Sequence, residues 1–272
     1  MINLPVSVII PTYNSENTIG RALQSISRQT LLPTEVILVD DCSPHKEMAT
    51  ILENIRNQYS KYFDVKIIKL TKNGGPGTAR NVGWDVAKGA FVAFLDSDDA
   101  WHPQKLEIQY KLFEDDSELA FCHHDSDVDM EKYEEFLVHK YSEDNIKTIN
   151  ISAKRWLFKH YGYGCTSTVM VKNISDVRFK EGKRAFEDYL VWLQFNFKYK
   201  GIYIDQKLSC VFKNMYGDGG LSGDLWNMEK GELETYSILR QQGYISFPLY
   251  CACSAFSLLK YVRRVVICLF RK

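Results

Sequence analysis

The sequence predicts a mixed α/β domain: a mainly parallel central sheet flanked by helices, followed by a helical C-terminal appendage. Two observations carry this reading. Short, nearly continuous apolar runs alternate with stretches of helical periodicity through the first half of the chain, and such runs mark strands covered on both faces. Three of the runs also end on polar clusters, Pro11-Thr12-Tyr13-Asn14, Asp40-Asp41 and Asp96-Ser97-Asp98-Asp99. Open α/β sheets bind ligands beyond the carboxyl ends of their strands, so three polar ends together predict one site.

Taken in order, residues 6–10 form a β-branched apolar run closed by Pro11. Residues 15–29 place Ile19, Ala22, Leu23 and Ile26 on one face, which predicts a helix with Ser15 as its N-cap. Residues 35–39 read as a second strand, 44–59 as a helix, 65–70 as a third strand, 78–88 as a third helix and 91–95 as a fourth strand. Beyond Trp101 the pattern loosens. Residues 119–123, 166–171 and 202–205 read as strands, while 152–159, 186–199 and 226–242 read as helices. Residues 125–144 are acidic and irregular. With no repeat and no linker, residues 1–225 are expected to form one domain and 226–272 the appendage.

Composition narrows the function classes. A chain of 272 residues, 45% hydrophobic and 25% charged, can bury a sizeable core. Lys+Arg and Asp+Glu both number 34, so there is no basic surplus of the kind nucleic-acid binding requires. Seven scattered cysteines without a C-x-x-C pair argue against a disulfide framework or thiolate zinc site and for a reducing cytoplasm. The first six residues lack signal-peptide character, and no apolar run approaches the ~20 residues of a spanning helix.

The fourth strand runs straight into Asp96-Ser97-Asp98-Asp99, three carboxylates in four residues. Their mutual repulsion is offset by a hard divalent cation, Mn²⁺ or Mg²⁺, which prefers carboxylate and phosphate oxygens. An isolated acidic turn is more often simply solvated; one placed directly after a buried strand favours the cation. An EF-hand is excluded because Trp101 falls where glycine is needed. Asp125-Ser126-Asp127-Val128-Asp129 fails likewise at Met130 and reads as a solvated loop. Asn73-Gly74-Gly75-Pro76-Gly77 is glycine-rich, but no Gly-Lys-Ser/Thr follows and Arg80 replaces the third glycine of a dinucleotide fingerprint. The start of the following helix can still face an anion.

These pieces together resemble the family 2 glycosyltransferases, whose Rossmann-like fold is called GT-A. The resemblance rests on the stretch 6–14, Val39-Asp40-Asp41-Cys42-Ser43, Asn73-Gly74-Gly75 with Ala79-Arg80-Asn81, Phe94-Leu95-Asp96-Ser97-Asp98-Asp99 with Trp101 and Pro103, and Glu187-Asp188. It implies a nucleotide-binding half over 1–115 and an acceptor half over 116–225. Pro11, Thr12, Tyr13 and Asp41 are implied to hold the uracil of a UDP-sugar, with Tyr13 against the base and Asp41 accepting from the ring N–H. Asp96 is implied at the ribose or the metal's water shell, Ser97 beside it, and Asp98 as the direct ligand of Mn²⁺ or Mg²⁺. Arg80 is expected to help at the nucleotide. Asp188 is the implied general base for the acceptor hydroxyl, with Glu187 as its neighbour; on sequence alone the acidic first turn of a helix is the favoured reading of the pair, and the resemblance reverses that preference.

The implied reaction is a single displacement with inversion. A cation meets the charge on the departing diphosphate, and a positioned carboxylate activates a poor nucleophile. The processive members' Q-x-x-R-W signature is absent, so transfer of one sugar is expected. The acceptor is expected to be a lipid-linked saccharide at the inner face of a bacterial membrane, in O-antigen, capsule or exopolysaccharide assembly. Lys213, in the glycine-rich stretch 211–222, is a candidate cation for the diphosphate on a lid or a plain surface loop. A nucleotidyltransferase is disfavoured because Pro11-Thr12-Tyr13-Asn14 stands where its glycine-rich basic loop belongs. A non-catalytic nucleotide-sugar-binding module is disfavoured by the intact Asp98 and Asp188. Adjacent His123 and His124 on a strand point to opposite faces, which suits structural or acceptor-facing roles over a shared metal.

The tail has its own asymmetry. From Gln241 onward there is no acidic residue, while Lys260, Arg263, Arg264, Arg271 and Lys272 are basic. Lys260, Arg263 and Arg264 share a helical face opposite Val262, Val266 and Leu269. That pattern predicts a helix in the interface of an anionic membrane, against a helix docked on the domain with its charges in solvent.

Overall fold

A computed structural model of the chain describes residues 3–127, 132–142, 145–159, 165–212 and 224–270. The strands are β1 (Leu4–Thr12), β2 (Pro33–Asp40), β3 (Asp64–Lys69), β4 (Phe91–Phe94), β5 (Ala100–Trp101), β6 (Leu119–Asp127), β7 (Thr148–Asn150), β8 (Met170–Lys172) and β9 (Lys200–Cys210). The helices are α1 (Ile19–Ser27), α2 (Glu47–Tyr59), α3 (Pro76–Asp85), α4 (Lys105–Asp115), α5 (Tyr133–Val138), α6 (Ala153–Trp156), α7 (Glu187–Lys198), α8 (Leu225–Gln241) and α9 (Phe247–Phe270). Among the described residues one sheet runs in the order β3-β2-β1-β4-β8-β6-β9-β5, with β7 on β9.

The expected parallel pairing holds across β3-β2-β1-β4 and recurs between β6 and β9. The short strand β8 enters antiparallel to both β4 and β6. The chain moves outward from β1 to β3 and then returns to β4 on the other side of β1. That reversal opens a crevice beyond the carboxyl ends of β1 and β4. Val6, Val8, Ile9 and Ile10 of β1, and Val36 to Val39 of β2, are fully buried because helices cover both faces.

Close packing of α3 decides what reaches the crevice. A Cβ on Gly83 would lie 2.6 Å from Ile9 Cγ2 and 3.2 Å from Val39 Cγ2, so only glycine lets this helix lie so near the sheet. Trp84, one residue on, stacks against Phe195 of α7 with ring centroids 6.0 Å apart and joins the second core of Phe94, Phe121, Phe179 and Trp192. Losing a buried indole of this kind costs about 3–5 kcal/mol. The same contacts therefore fix α7 relative to α3.

Several elements differ from the sequence expectation. Helix α1 begins at Ile19, and Ser15 is not its N-cap; the Ser15 hydroxyl instead accepts the Tyr13 N–H at 3.1 Å and closes the turn after β1. Residues 125–127 extend β6 and are not loop, because β9 offers a parallel partner as far as Asp127 and Cys210. Strand β9 has 11 residues; pairing with β5, β6 and β7 sustains it through polar positions that lower its apolar signal. The stretch expected as a strand over 166–171 starts with a 3-10 turn, Thr166–Thr168. There Thr168 Oγ1 donates to Cys165 O at 2.7 Å, a local bond that competes with strand pairing.

The appendage is helical, as expected, but Lys260 and Arg264 point inward while Arg263 is exposed. Glu229 and Glu232 on α8 are buried. Arg264 of α9 pairs with Glu229 at 2.8 Å, and Lys260 pairs with Glu232. Val262 and Val266 are exposed, and Leu259 is 69% exposed. The expectation that Lys260 and Arg264 face solvent or lipid is thereby corrected: two buried carboxylates outcompete water for those cations. Among the described residues no helix is long and apolar enough to cross a membrane.

Candidate active site

The first wall of the crevice comes from the ends of β1 and β2. Thr12 is buried, and its hydroxyl donates to Val39 O at 3.3 Å. Pro11 is half-buried beside it, and Tyr13 leaves its ring exposed at the rim. Asp41 is held tightly. Its two carboxylate oxygens accept the N–H groups of Gly74 and Gly75 at 2.7 and 2.8 Å. Gly75 has φ 86°, so the loop that wraps Asp41 requires glycine at that point. Each oxygen keeps a lone pair that can accept from a base N–H.

The second wall is the acidic turn after β4. Asp99 folds back so that its N–H donates to Asp96 O at 3.1 Å. Three groups brace the turn. Arg21 of α1 donates to Asp98 O at 2.5 Å, its guanidinium lying 3.6 Å over the Phe212 ring. Ser167 Oγ donates to Asp99 Oδ2 and accepts the Asp96 N–H. Arg80 of α3 pairs with Asp96 Oδ1 at 2.6 Å. Ser97 is partly exposed within the turn.

The third wall is the first turn of α7. Glu187 Oε1 lies 3.2 Å from Arg80 Nη1, so one buried guanidinium spans the acidic turn and this helix. Asp188 Oδ1 accepts the Tyr189 N–H at 2.7 Å, and Oδ2 accepts the Thr166 hydroxyl at 3.3 Å. Burial, then repulsion from Asp188, pushes Glu187 up to about 7 against the pull of Arg80. Burial likewise raises Asp188, with Arg80 opposing. Arg80 itself loses to burial but gains more from Asp96 and Glu187, and it stays firmly charged. The helix-dipole reading of Glu187-Asp188 also holds, since both occupy the first turn; the bond to Arg80 goes beyond it.

Two groups of the expected residues are each joined by bonds: Arg80 pairs with Asp96 and with Glu187, next to which Asp188 lies in the chain, and Thr12 joins Asp41 through the Asp41 N–H to Thr12 O bond of 2.9 Å. Arg80 is engaged between two carboxylates and buried, a position the sequence did not disclose. Lys213 lies outside the described residues. Asp99 was seen only as part of the acidic turn, and Arg21, Thr166 and Ser167 were not singled out by sequence; Arg21, the one charged residue of helix α1, was the available signal. His123 and His124 are buried, and His123 stacks on Trp156 with centroids 5.1 Å apart, which supports the structural reading.

Among the described residues no three His, Cys, Asp or Glu side chains converge as a cage for a metal ion. Mg²⁺-type sites commonly use one or two carboxylates and leave the other positions to substrate phosphates and water. A hard-oxygen pair at Asp96 and Asp98 beside an open crevice fits that pattern.

Comparison with known proteins matches residues 7–177 to the family described as Glycosyl transferase family 2. The chain is 30% identical over 190 residues to the Escherichia coli UDP-Glc:alpha-D-GlcNAc-diphosphoundecaprenol beta-1,3-glucosyltransferase WfgD, covering 69% of this chain and 68% of WfgD. It spans 40% of the length of a matching uncharacterized glycosyltransferase of Haemophilus influenzae and 17% of that of Staphylococcus aureus TarS. Among solved structures, S. aureus TarS 1-349 in complex with UDP-GlcNAc superposes with a TM-score of 0.65 at 22% identity, over 93% of this chain and 71% of that one. The Pyrobaculum calidifontis mannosyltransferase PcManGT in complex with GDP-Man and Mn²⁺ gives a TM-score of 0.64 at 14% identity, over 100% and 77%. Fold, motif order and sequence match agree that this chain belongs to glycosyl transferase family 2, with the GT-A fold.

Proposed function

We propose that this glycosyltransferase moves one sugar from a UDP-sugar to a saccharide acceptor with inversion, using a divalent cation. The observation that carries the reading is the bonded path from the acidic turn through Arg80 to Glu187 and its neighbour Asp188. It joins diphosphate-side carboxylates to a carboxylate suited to accept a proton.

Tyr13 stacks on the uracil, and Asp41 accepts from its ring N–H. Asp98 and Asp96 would hold Mn²⁺ or Mg²⁺, with Ser97 beside Asp96 toward the ribose. When bound, the cation supplies charge neutralisation for the departing diphosphate. Asp188 takes the proton of the acceptor hydroxyl. That oxygen bonds to the anomeric carbon from the face opposite the phosphate, and the C–O bond to phosphate breaks with its electron pair leaving on UDP. One displacement inverts the centre. Glu187 keeps Arg80 in place and, through it, Asp96.

The acceptor is proposed to be lipid-linked, in bacterial surface polysaccharide assembly. WfgD, by its name, uses a diphosphoundecaprenol acceptor, and the outward face of α9 carries Leu258, Leu259, Val262 and Val266. That apolar face, flanked by exposed Arg263, suits peripheral contact with an anionic inner membrane surface.

A panel of UDP-sugars with Mn²⁺ and a membrane lipid extract tests the reaction. Asp98→Ala is expected to lose donor binding and Asp188→Asn to lose transfer while keeping donor binding. Undiminished transfer by Asp188→Asn removes the base assignment. Flotation with anionic vesicles, before and after deleting residues 247–272, tests the tail; equal partitioning removes the membrane contact.

A further inference from the structure

Two consecutive hydroxyls connect the acidic turn to the first turn of α7. Ser167 Oγ donates to Asp99 Oδ2 at 2.5 Å and accepts the Asp96 backbone N–H at 3.0 Å. One residue earlier, Thr166 Oγ1 donates to Asp188 Oδ2 at 3.3 Å. Both side chains lie on the 3-10 turn and are buried, so neither hydroxyl can exchange its partner for water without moving the turn.

The turn is itself pinned from three directions. The Trp101 indole N–H donates to Ser167 O at 2.7 Å, Gln109 Nε2 donates to Thr168 O at 3.0 Å, and the Phe94 N–H donates to Val169 O at 3.3 Å. Residues from β4, β5 and α4 thus hold one short piece of backbone.

Arg80 makes an ionic connection between the same two ends, but it engages Glu187 and not Asp188 in its hydrogen bonds. The direction of the Asp188 carboxylate is set elsewhere. The Tyr189 N–H takes Oδ1 and Thr166 takes Oδ2, which fixes the carboxylate plane while leaving lone pairs for a proton. Preorganisation of this kind governs how well a base meets its proton in the transition state.

We propose that Thr166 and Ser167 are paired positioning residues: Thr166 aims the Asp188 carboxylate, Ser167 holds the acidic turn, and their adjacency fixes the spacing between the two. This inference rests on the reading of Asp98 and Asp188 given above. It concerns how the chain holds those groups, not what they do.

The test uses the full chain with Thr166→Val, Thr166→Ser and Ser167→Ala. UDP binding in saturating Mn²⁺ is read by calorimetry, and kcat and KM are read with the UDP-sugar that the wild type uses fastest. Thr166→Val is expected to lower kcat about tenfold, as loss of one hydrogen bond to a charged group predicts, with donor KM and UDP affinity unchanged. Thr166→Ser, which keeps the hydroxyl, is expected to restore kcat. Ser167→Ala is expected to weaken UDP binding in Mn²⁺ about fivefold through the loosened acidic turn. Wild-type kcat in Thr166→Val, a loss that Thr166→Ser does not recover, or wild-type UDP affinity in Ser167→Ala overturns the inference. Failure of the underlying reading looks different: the wild type would not bind UDP, or Asp188→Asn would keep full kcat.

Discussion

The Arg80 guanidinium meets the Asp96 carboxylate at 2.6 Å and is almost wholly removed from water. Its other arm reaches Glu187 at 3.2 Å, so one cation from α3 ties the turn after β4 to the start of α7. Replacing it by Arg80→Met leaves two carboxylates facing each other's surroundings without a counter-charge. Breaking a buried pair from one side costs about 3–5 kcal/mol; Asp96 retains some solvent, which places the expected loss at the low end. Arg80→Lys is expected to recover only part, because an ammonium lacks the planar fork that spans two acids. Urea unfolding of the three proteins checks the order, and equal midpoints for wild type and Arg80→Met contradict it.

Burial and the neighbouring Asp188 carry Glu187 up to about 7, and burial raises Asp188 as well. A general base works in its deprotonated form. The rate at saturating donor is therefore expected to climb with pH through a range above that of an ordinary carboxylate and to level off once the pair is deprotonated. Such a limb belongs to the pair and not to one residue. Glu187→Gln removes the like-charge repulsion, so the limb should move to lower pH in that variant. A limb that stays in place in Glu187→Gln would show that the two acids titrate independently.

How much of this was legible in the sequence depends on the kind of signal. The order β1, α1, β2, α2, β3, α3, β4 was readable because Val6 to Ile10, Val36 to Val39 and Phe91 to Phe94 are apolar runs buried on both faces. Asp96, Asp98 and Asp41 were readable because strand ends concentrate polar residues where the sheet opens. Arg80 was found, but its place between Asp96 and Glu187 was not, since it depends on Gly83 letting α3 approach Ile9. Thr166 and Ser167 looked like β-branched and small strand residues, but the local bond from Thr168 to Cys165, with contacts from Trp101 and Gln109, makes a 3-10 turn of them. The tail shows the limit most clearly. Helical spacing separated Lys260 and Arg264 from Val262 and Val266 correctly, but which face turned inward was decided by Glu229 and Glu232 on another helix.

Lys105 is fully buried at the start of α4, its Nζ 3.7 Å from the centre of the Trp101 ring. Burial brings its pKa down from 10.5 to about 7. Between those two values the unfolded chain binds the extra proton, so stability is expected to increase with pH across that window. The slope is about 1.4 kcal/mol per pH unit at most. Lys105→Met keeps the volume and removes the titration. It is expected to be more stable than the wild type at pH 7 and to show no such rise. Denaturant midpoints at pH 7 and pH 9 decide the matter; parallel behaviour of the two proteins excludes it.

Glu232 is held below its usual 4.5 by Lys260, Tyr236 and Arg264 despite burial, which alone would raise it. A carboxylate with a depressed folded pKa contributes stability above 4.5 that is lost as pH falls through the folded value. Acid should therefore loosen α9 from α8, and it also acts on the sheet through Glu35 of β2, which Lys66, Ser7 and Lys88 hold low despite burial, so the helix is best tested at neutral pH. At neutral pH the double variant Glu229→Gln/Glu232→Gln mimics that state and strands Lys260 and Arg264 without counter-charges. Loss of about 3 kcal/mol of local stability corresponds to roughly a hundredfold faster amide exchange along α9. Hydrogen exchange resolved by segment reads this directly: α9 is expected to lose protection while β1, β2 and β4 keep theirs. Exchange that accelerates equally in both would mean that α9 unfolds only with the whole domain.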